Sequence, residues 1–333
     1  NKVNEIDGEC KHYTKLTKSR CKKGLTEGWY VLSEDVNYNN YKKISIRGTV
    51  NLILEDGCTL TATKKDSMYI EDGATLNVYG QSQGTGKLYL DGQTGNAGLR
   101  VGSSSTLNIK GGTIEAEGTT GGAGIGGDDG ESAGTTTIYG GTVTAKGGNY
   151  GAGIGGGDEG AGGTVKIYGG TVNSNGGKEA TGIGSGNESG LGGMTEINGG
   201  TITAEGGNYG AGIGGGDESG AGTITINNGI VNAIGGKKAC GIGTGYEGGG
   251  GSVTIDGGTI TATKGEDGEN DIGNSSITFI HNSGTINGKG KDESEKLDEL
   301  TAVKYKEREW DGNKVNEIDG ECKHYTKLTN DIC

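Results

Sequence analysis

The chain has 333 residues, 76 of them Gly and none Pro, and only 29% are hydrophobic. Gly without Pro and without a G-X-Y period excludes collagen, and no run approaches the roughly 20 apolar residues of a membrane span. A net charge of −13, with Arg only at positions 20, 47, 100 and 308, argues against nucleic acid and anionic membrane surfaces as partners.

In chain order, residues 1–26 open a module with NKVNEIDGECKHYTKLT. Cys10 and Cys21 enclose ten residues, a spacing readable as a local disulfide loop in an oxidising compartment. Residues 27–288 read as a β-solenoid. Its first part, Glu27 to Arg47 with GWYVLSEDV, is expected to form the N-terminal cap, because an open solenoid end exposes strand edges. VNLILEDGCTLTA (50–62), MYIEDGATLNVYG (68–80) and LRVGSSSTLNIKG (99–111) read as early, irregular coils.

Regular coils follow. Gly-Gly pairs at 111, 140, 169, 199 and 257, with Asn228-Gly229 between, stand 29, 29, 30, 29 and 29 residues apart. Each unit runs T-V-x-I-x-G-G-T-V-x-A, a loop, A-G-I-G-G, and a second loop. Apolar residues alternate over four or five positions, as strands require. Stacking the units makes three columns. Ile109, Ile138, Ile167, Ile197, Ile226 and Ile255 form the first; Ile114, Val143, Val172, Ile202, Val231 and Ile260 the second; Ile125, Ile154, Ile183, Ile213, Ile242 and Ile272 the third. Three short strands per ~29-residue coil predict an all-β, right-handed, single-stranded parallel β-helix, capped at both ends. One coil cannot bury its apolar face alone, but stacked coils share a core. One Ile or Val per strand fills so narrow an interior, with Ala116, Ala145, Ala204 and Ala233 where walls converge and glycines at corners needing positive φ.

The stretch GAGIGGG contains the G-x-G-x-x-G spacing of a dinucleotide loop. It recurs, and it decays to TGIGSG (181–186) and CGIGTG (240–245) while the Ile persists. A core column behaves so; a phosphate cradle, present once per domain, does not.

Beyond ITFIHNSGTING, residues 289–312 read as a charged C-terminal cap (KGKDESEKLDEL, one short helix) followed by a strand, Thr301 to Trp310. Residues 313–333 start a second copy: the first 17 residues return unchanged at an offset of 312, and Cys322 and Cys333 repeat Cys10 and Cys21. The chain therefore holds one period of a tandem array plus the start of the next. EWDGNKVNEIDGE at the junction reads as a β-hairpin.

GWYVLSEDV, VNLILEDGCTLTA, TLNVYGQSQGTGKL and the repeated GGTVTAKGGNYGAGIGGG resemble glycine-rich β-helix modules of large extracellular proteins of anaerobic microbes, over about Trp29 to Ser283. The resemblance implies an extracellular or cell-surface location, and adhesion or glycan binding. In organisation, the array is similar to scaffold proteins that gather extracellular enzymes.

Some parallel β-helices cleave polysaccharides. That chemistry wants singular clustered carboxylates beside a base, whereas here the carboxylates repeat and the regular coils hold neither Arg nor His. Arg100 reads as a solvated surface charge. No catalytic residue is assigned. Acidic residues after the third column (Asp129, Asp158, Glu159, Glu188, Asp217, Glu218, Glu247) would stack ~5 Å apart as a solvated stripe or as carboxylates bridged by calcium, the one cofactor they suggest. Tyr150 and Tyr209 recur two coils apart, separated by Lys178-Glu179, with the Lys expected between the rings, and followed by Lys237 and Lys238, a patterned binding flank. Cys58 and Cys240 align with alanines and read as buried small apolar residues. The expected function is a non-catalytic structural or scaffolding module presenting a surface to protein docking modules. The alternative is a glycan-binding adhesin for extracellular polysaccharide, and a lyase or hydrolase comes third. Neighbouring copies in the same chain are further partners.

Overall fold

The computed structural model describes residues 3–6, 9–39, 42–63, 68–286, 304–310 and 315–321. Between Gly28 and Ile286 the chain forms a single-stranded parallel β-helix. Its first wall has eleven strands among the described residues, from Thr14–Lys15 to Thr278–His281. The second has ten, from Val36–Asn37 to Thr285–Ile286, and the third eight, from Ile44–Ile46 to Ile242–Gly243.

The three sequence columns are the three inner faces. Ile109 pairs with Ile138, Ile114 with Val143 and Ile125 with Ile154, and an isolated bridge from Ile242 to Ile272 extends the third wall. Every residue of the three columns is at most 1% exposed. Early coils fill the interior with Leu52, Leu54, Leu60, Leu88, Leu90 and Met68, later ones with Ile, Val and Ala. Two Thr side chains, Thr136 and Thr195, also stand buried in the first wall, where their β-branched shape matches Val165 between them. Ser174 replaces Ala in the second wall and satisfies its buried hydroxyl on the Gly182 carbonyl at 2.6 Å.

The glycines serve the third wall differently from the corner role expected of them. Gly155 has φ +141, and a Cβ there would collide with the Gly184 carbonyl oxygen of the next coil. Gly156 has no positive φ; its side-chain space is taken by the carbonyl of Gly160 in its own loop. Close backbone approach, as much as backbone conformation, excludes a side chain.

The N-terminal cap lies earlier than the sequence suggests. Gly28–Leu32, Val36–Asn37 and Ile44–Ile46 are the three strands of a coil: Gly28–Leu32 pairs with the next first-wall strand, Val36 with Leu60, and Ile44–Ile46 with Met68–Ile70. Closure falls instead to the strand Thr14–Lys15 and a short helix, Lys18–Lys23. Thr17 caps the helix by accepting the Arg20 N–H at 3.2 Å, and Gly24 ends it at φ +82. Leu16, Cys21 and Leu25 are fully buried over the end of the core. The aromatic-rich run GWYVLSEDV hid this, because two of its apolar residues face outward. Val31 packs outside the core with Tyr13 and Ile53, and Trp29 and Tyr79 cover them.

Two further expectations change. Cys21 is a free thiol, and burial pushes it up to about 12. The side chains of its expected partner Cys10, and of Cys322 and Cys333, lie outside those described. Arg100 is no surface charge. It is 4% exposed and locks the irregular coils to the regular ones. Glu131 accepts its Nε and Nη2 at 2.7 and 2.9 Å, the Ile70 carbonyl accepts Nη1 at 2.9 Å, and Asp72 accepts both Nη atoms at 3.2 Å. Burial opposes its charge, but the hydrogen bonds and charge of Glu131 outweigh that and raise its pKa.

At the C-terminal end, Lys304–Trp310 and Val315–Glu321 pair antiparallel from Trp310 and Val315 outward, as the junction hairpin requires. The expected cap at 289–300 lies outside the described residues.

Candidate functional site

In the regular coils, two loops flank each two-residue strand of the third wall. The sequence suggests two separate surfaces, but backbone hydrogen bonds join them into one edge. Asn187 N–H donates to the Tyr150 carbonyl at 3.0 Å, Asp217 N–H to Glu179 at 2.8 Å and Tyr246 N–H to Tyr209 at 2.8 Å. The acidic loop of one coil thus rests on the tyrosine-bearing loop of the coil before.

Within the first loop, coils stack in two columns. Glu179 N–H donates to the Asn149 carbonyl, and Lys238 N–H to that of Asn208. Tyr150, Glu179, Tyr209 and Lys238 therefore share one column, and Asn149, Lys178, Asn208 and Lys237 the other. Lys178 does not separate the tyrosines. Glu179 does, and the Lys178 ammonium pairs with it at 3.0 Å. The aromatic partner of Tyr209 is Tyr246 from the acidic loop, with ring centroids 5.6 Å apart. The Lys238 ammonium lies 4.0 Å from the Tyr246 ring centre and 5.3 Å from that of Tyr209. Tyr246 was detectable only by aligning the acidic column, where it replaces Asp217.

The acidic loops divide by depth. Asp158, Asn187 and Asp217 point inward and are shielded, while Asp129, Glu159, Glu188, Glu218 and Glu247 are exposed. The four Glu residues hold φ between +48° and +54°, left-handed values that cost a side chain about 1–2 kcal/mol each. Asn187 is 6% exposed and donates its Nδ2 to Asp158 Oδ1 at 3.1 Å. Its own Oδ1, like Asp217 Oδ1, is buried without a hydrogen-bond partner among the described residues. Burial, then the charges of Glu179, Glu218 and Glu247, raise Asp217 to about 6. Burial also raises Asp158, helped by the charges of Asp129 and Glu159 against the hydrogen bond from Asn187. The acidic residues expected to hold calcium spread along the axis: among the described residues no three His, Cys, Asp or Glu side chains converge as a metal centre.

Beside this edge, where the second wall ends, runs a groove of about 480 Å³ lined by Asn175, Glu205, Asn208, Lys237 and paired glycines. Of these, Lys237 and Asn208, the latter in the repeated GGNYGAGIGGG, stood out in the sequence, while Asn175 and Glu205 carry no motif. On the outer face of the first wall, Tyr139 and Tyr168 stack at 5.3 Å, an exposed pair that column alignment would also have found.

Six segments, 107–130, 137–158, 165–187, 196–217, 224–246 and 253–277, match a family model described as a beta helix repeat. No curated protein and no solved structure matches the chain.

Proposed function

We propose that this β-helix repeat protein is a non-catalytic structural module of an extracellular tandem array, presenting the edge of Tyr150, Tyr209, Tyr246, Lys238 and the acidic loops to protein docking modules. The observation that carries the reading is the parallel pairing of strand on strand in all three walls among the described residues. It makes a stiff rod whose surface groups recur from coil to coil. Columns of repeated or substituted groups suit a partner that reads a length of rod. A catalytic centre needs singular groups held around one reacting atom. The identical segments at 1–17 and 313–329 support the tandem organisation, and the resemblance to extracellular modules supports a surface location.

Anchors of such a contact are aromatic residues backed by charge, and Tyr209, Tyr246 and Lys238 form that set. The test is retention of small secreted docking modules on immobilised protein. Tyr209→Ala with Tyr246→Ala is expected to lower retention about tenfold or more while the melting temperature holds. Equal retention by the variant would remove this edge from the reading.

A further inference from the structure

The outer face of the first wall lies apart from the display edge and has a charge pattern of its own. Six regular coils present it between Thr106 and Asp256, and backbone hydrogen bonds carry the register one residue past each strand. Tyr139 N–H donates to the Ile109 carbonyl at 2.7 Å, Tyr168 to Ile138 at 2.8 Å, and Asn198, Asn227 and Asp256 to Ile167, Ile197 and Ile226 at 2.7 Å each. One outward column therefore reads Lys110, Tyr139, Tyr168, Asn198, Asn227, Asp256. Two residues earlier on each strand, the neighbouring column holds Lys166 in the third of these coils and Glu196 in the fourth. These two Lys and two acidic residues cancel, on a chain of net charge −13.

The order of the groups along the rod is self-complementary. Rotating a second copy by half a turn about an axis parallel to the strands, between the third and fourth coils, lays each column on itself with the coil order reversed. Lys110 then stands opposite Asp256 of the second copy, Lys166 opposite Glu196, and Tyr139 and Tyr168 opposite Asn227 and Asn198. The two-fold makes every pair twice, and no charge meets its like. Sheets packed face to face stand about 10 Å apart, within reach of these side chains. The Lys166 ammonium and the Glu196 carboxylate pair at 3.0 Å within one copy, so two copies set four alternating charges at the centre. The rings, stacked at 5.3 Å and about half exposed, meet amides that Asn227 orders by donating its Nδ2 to Asn198 Oδ1 at 2.8 Å. Rotation about the rod axis fails instead, because it sets Lys166 against Lys166 and Glu196 against Glu196.

We propose that this face binds a second copy of the chain with the two rods antiparallel. Six coils at ~4.8 Å and five residues at ~3.3 Å give a face of roughly 25 by 15 Å, small enough for a weak and reversible contact. Modules repeated in an array would strengthen it by multivalency. A two-fold contact closes on itself and yields dimers, not filaments.

Sedimentation equilibrium of the purified chain up to about 0.5 mM, at low and high salt, tests it. A reversible monomer–dimer equilibrium is expected, weakened by salt. Lys110→Glu and Asp256→Lys each set like charges opposite one another twice per dimer, and each should weaken association about tenfold or more. Mixing the two variants should restore it, because every pair in the mixed dimer is again of opposite sign. Tyr139→Ala with Tyr168→Ala should weaken association as well. All four side chains are exposed, so the melting temperature should hold. Tyr209→Ala with Tyr246→Ala leaves this face intact and should leave the dimer unchanged, so this contact and the display edge fail separately. The proposal is overturned if the chain stays monomeric throughout, if the single charge variants associate like wild type, or if their mixture associates no better than either alone.

Discussion

At the scale of single residues, the acidic edge is held under electrostatic tension. Asn187 gives its donor to Asp158 and turns its buried acceptor oxygen away, and Asp217 in the next coil buries an acceptor oxygen likewise unpaired. A buried carboxylate oxygen without a hydrogen-bond partner favours the protonated, uncharged form. Asp217 titrates near 6 in the fold, against an ordinary 3.8. Its folded pKa is raised, so the native state binds the extra proton. That stabilising contribution is complete below about pH 3.8 and is lost as pH rises through about 6. Asp217→Asn keeps a donor at every pH. The variant should therefore melt above wild type at pH 8, and the gap should close as pH falls below 6. A gap independent of pH would show that Asp217 does not titrate in this window.

At the scale of the coil, the third wall is the least forgiving element. In the regular coils it has two residues per turn, one inward Ile and one Gly over which the next coil passes. Ile183→Asp places an unpaired charge at a 0% exposed site and should cost more than about 4 kcal/mol, enough to leave little folded protein. Gly155→Ala combines a left-handed φ with overlap on the Gly184 carbonyl and should cost about 2–4 kcal/mol, read from denaturant midpoints. Gly156→Ala should be damaging too, through the Gly160 carbonyl and without any φ penalty. Near-native stability of Gly155→Ala would mean that the coils are not stacked this closely. The glycines were visible in the sequence, but their reason was not, because contact between coils 29 residues apart has no local signature.

At the scale of the whole molecule, the rod is quasi-one-dimensional, with each coil resting on its neighbours. Its stability should come from the shared core and the backbone ladder, independently of any ion in the acidic stripe. Excess chelator is accordingly expected to leave the melting temperature unchanged, since no three metal-ligating side chains converge among the described residues. A fall that added calcium reverses would instead assign the stripe as a cation site.

The architecture was legible because a solenoid writes its tertiary contacts as a sequence period. Ile109, Ile138 and Ile167 had to stack once the 29-residue repeat was seen, and the columns in the structure are those residues. The candidate tyrosines and acidic loops were likewise visible as recurring exceptions. What surrounds them was decided only by the fold. Tyr209 meets Tyr246 across two loops, and Arg100 lies buried among Glu131, Asp72 and a backbone carbonyl. A period specifies which residues share a column. The pairing of one column with another depends on how the loops cross the third wall, and that is set by backbone hydrogen bonds and by the space left where a side chain is missing.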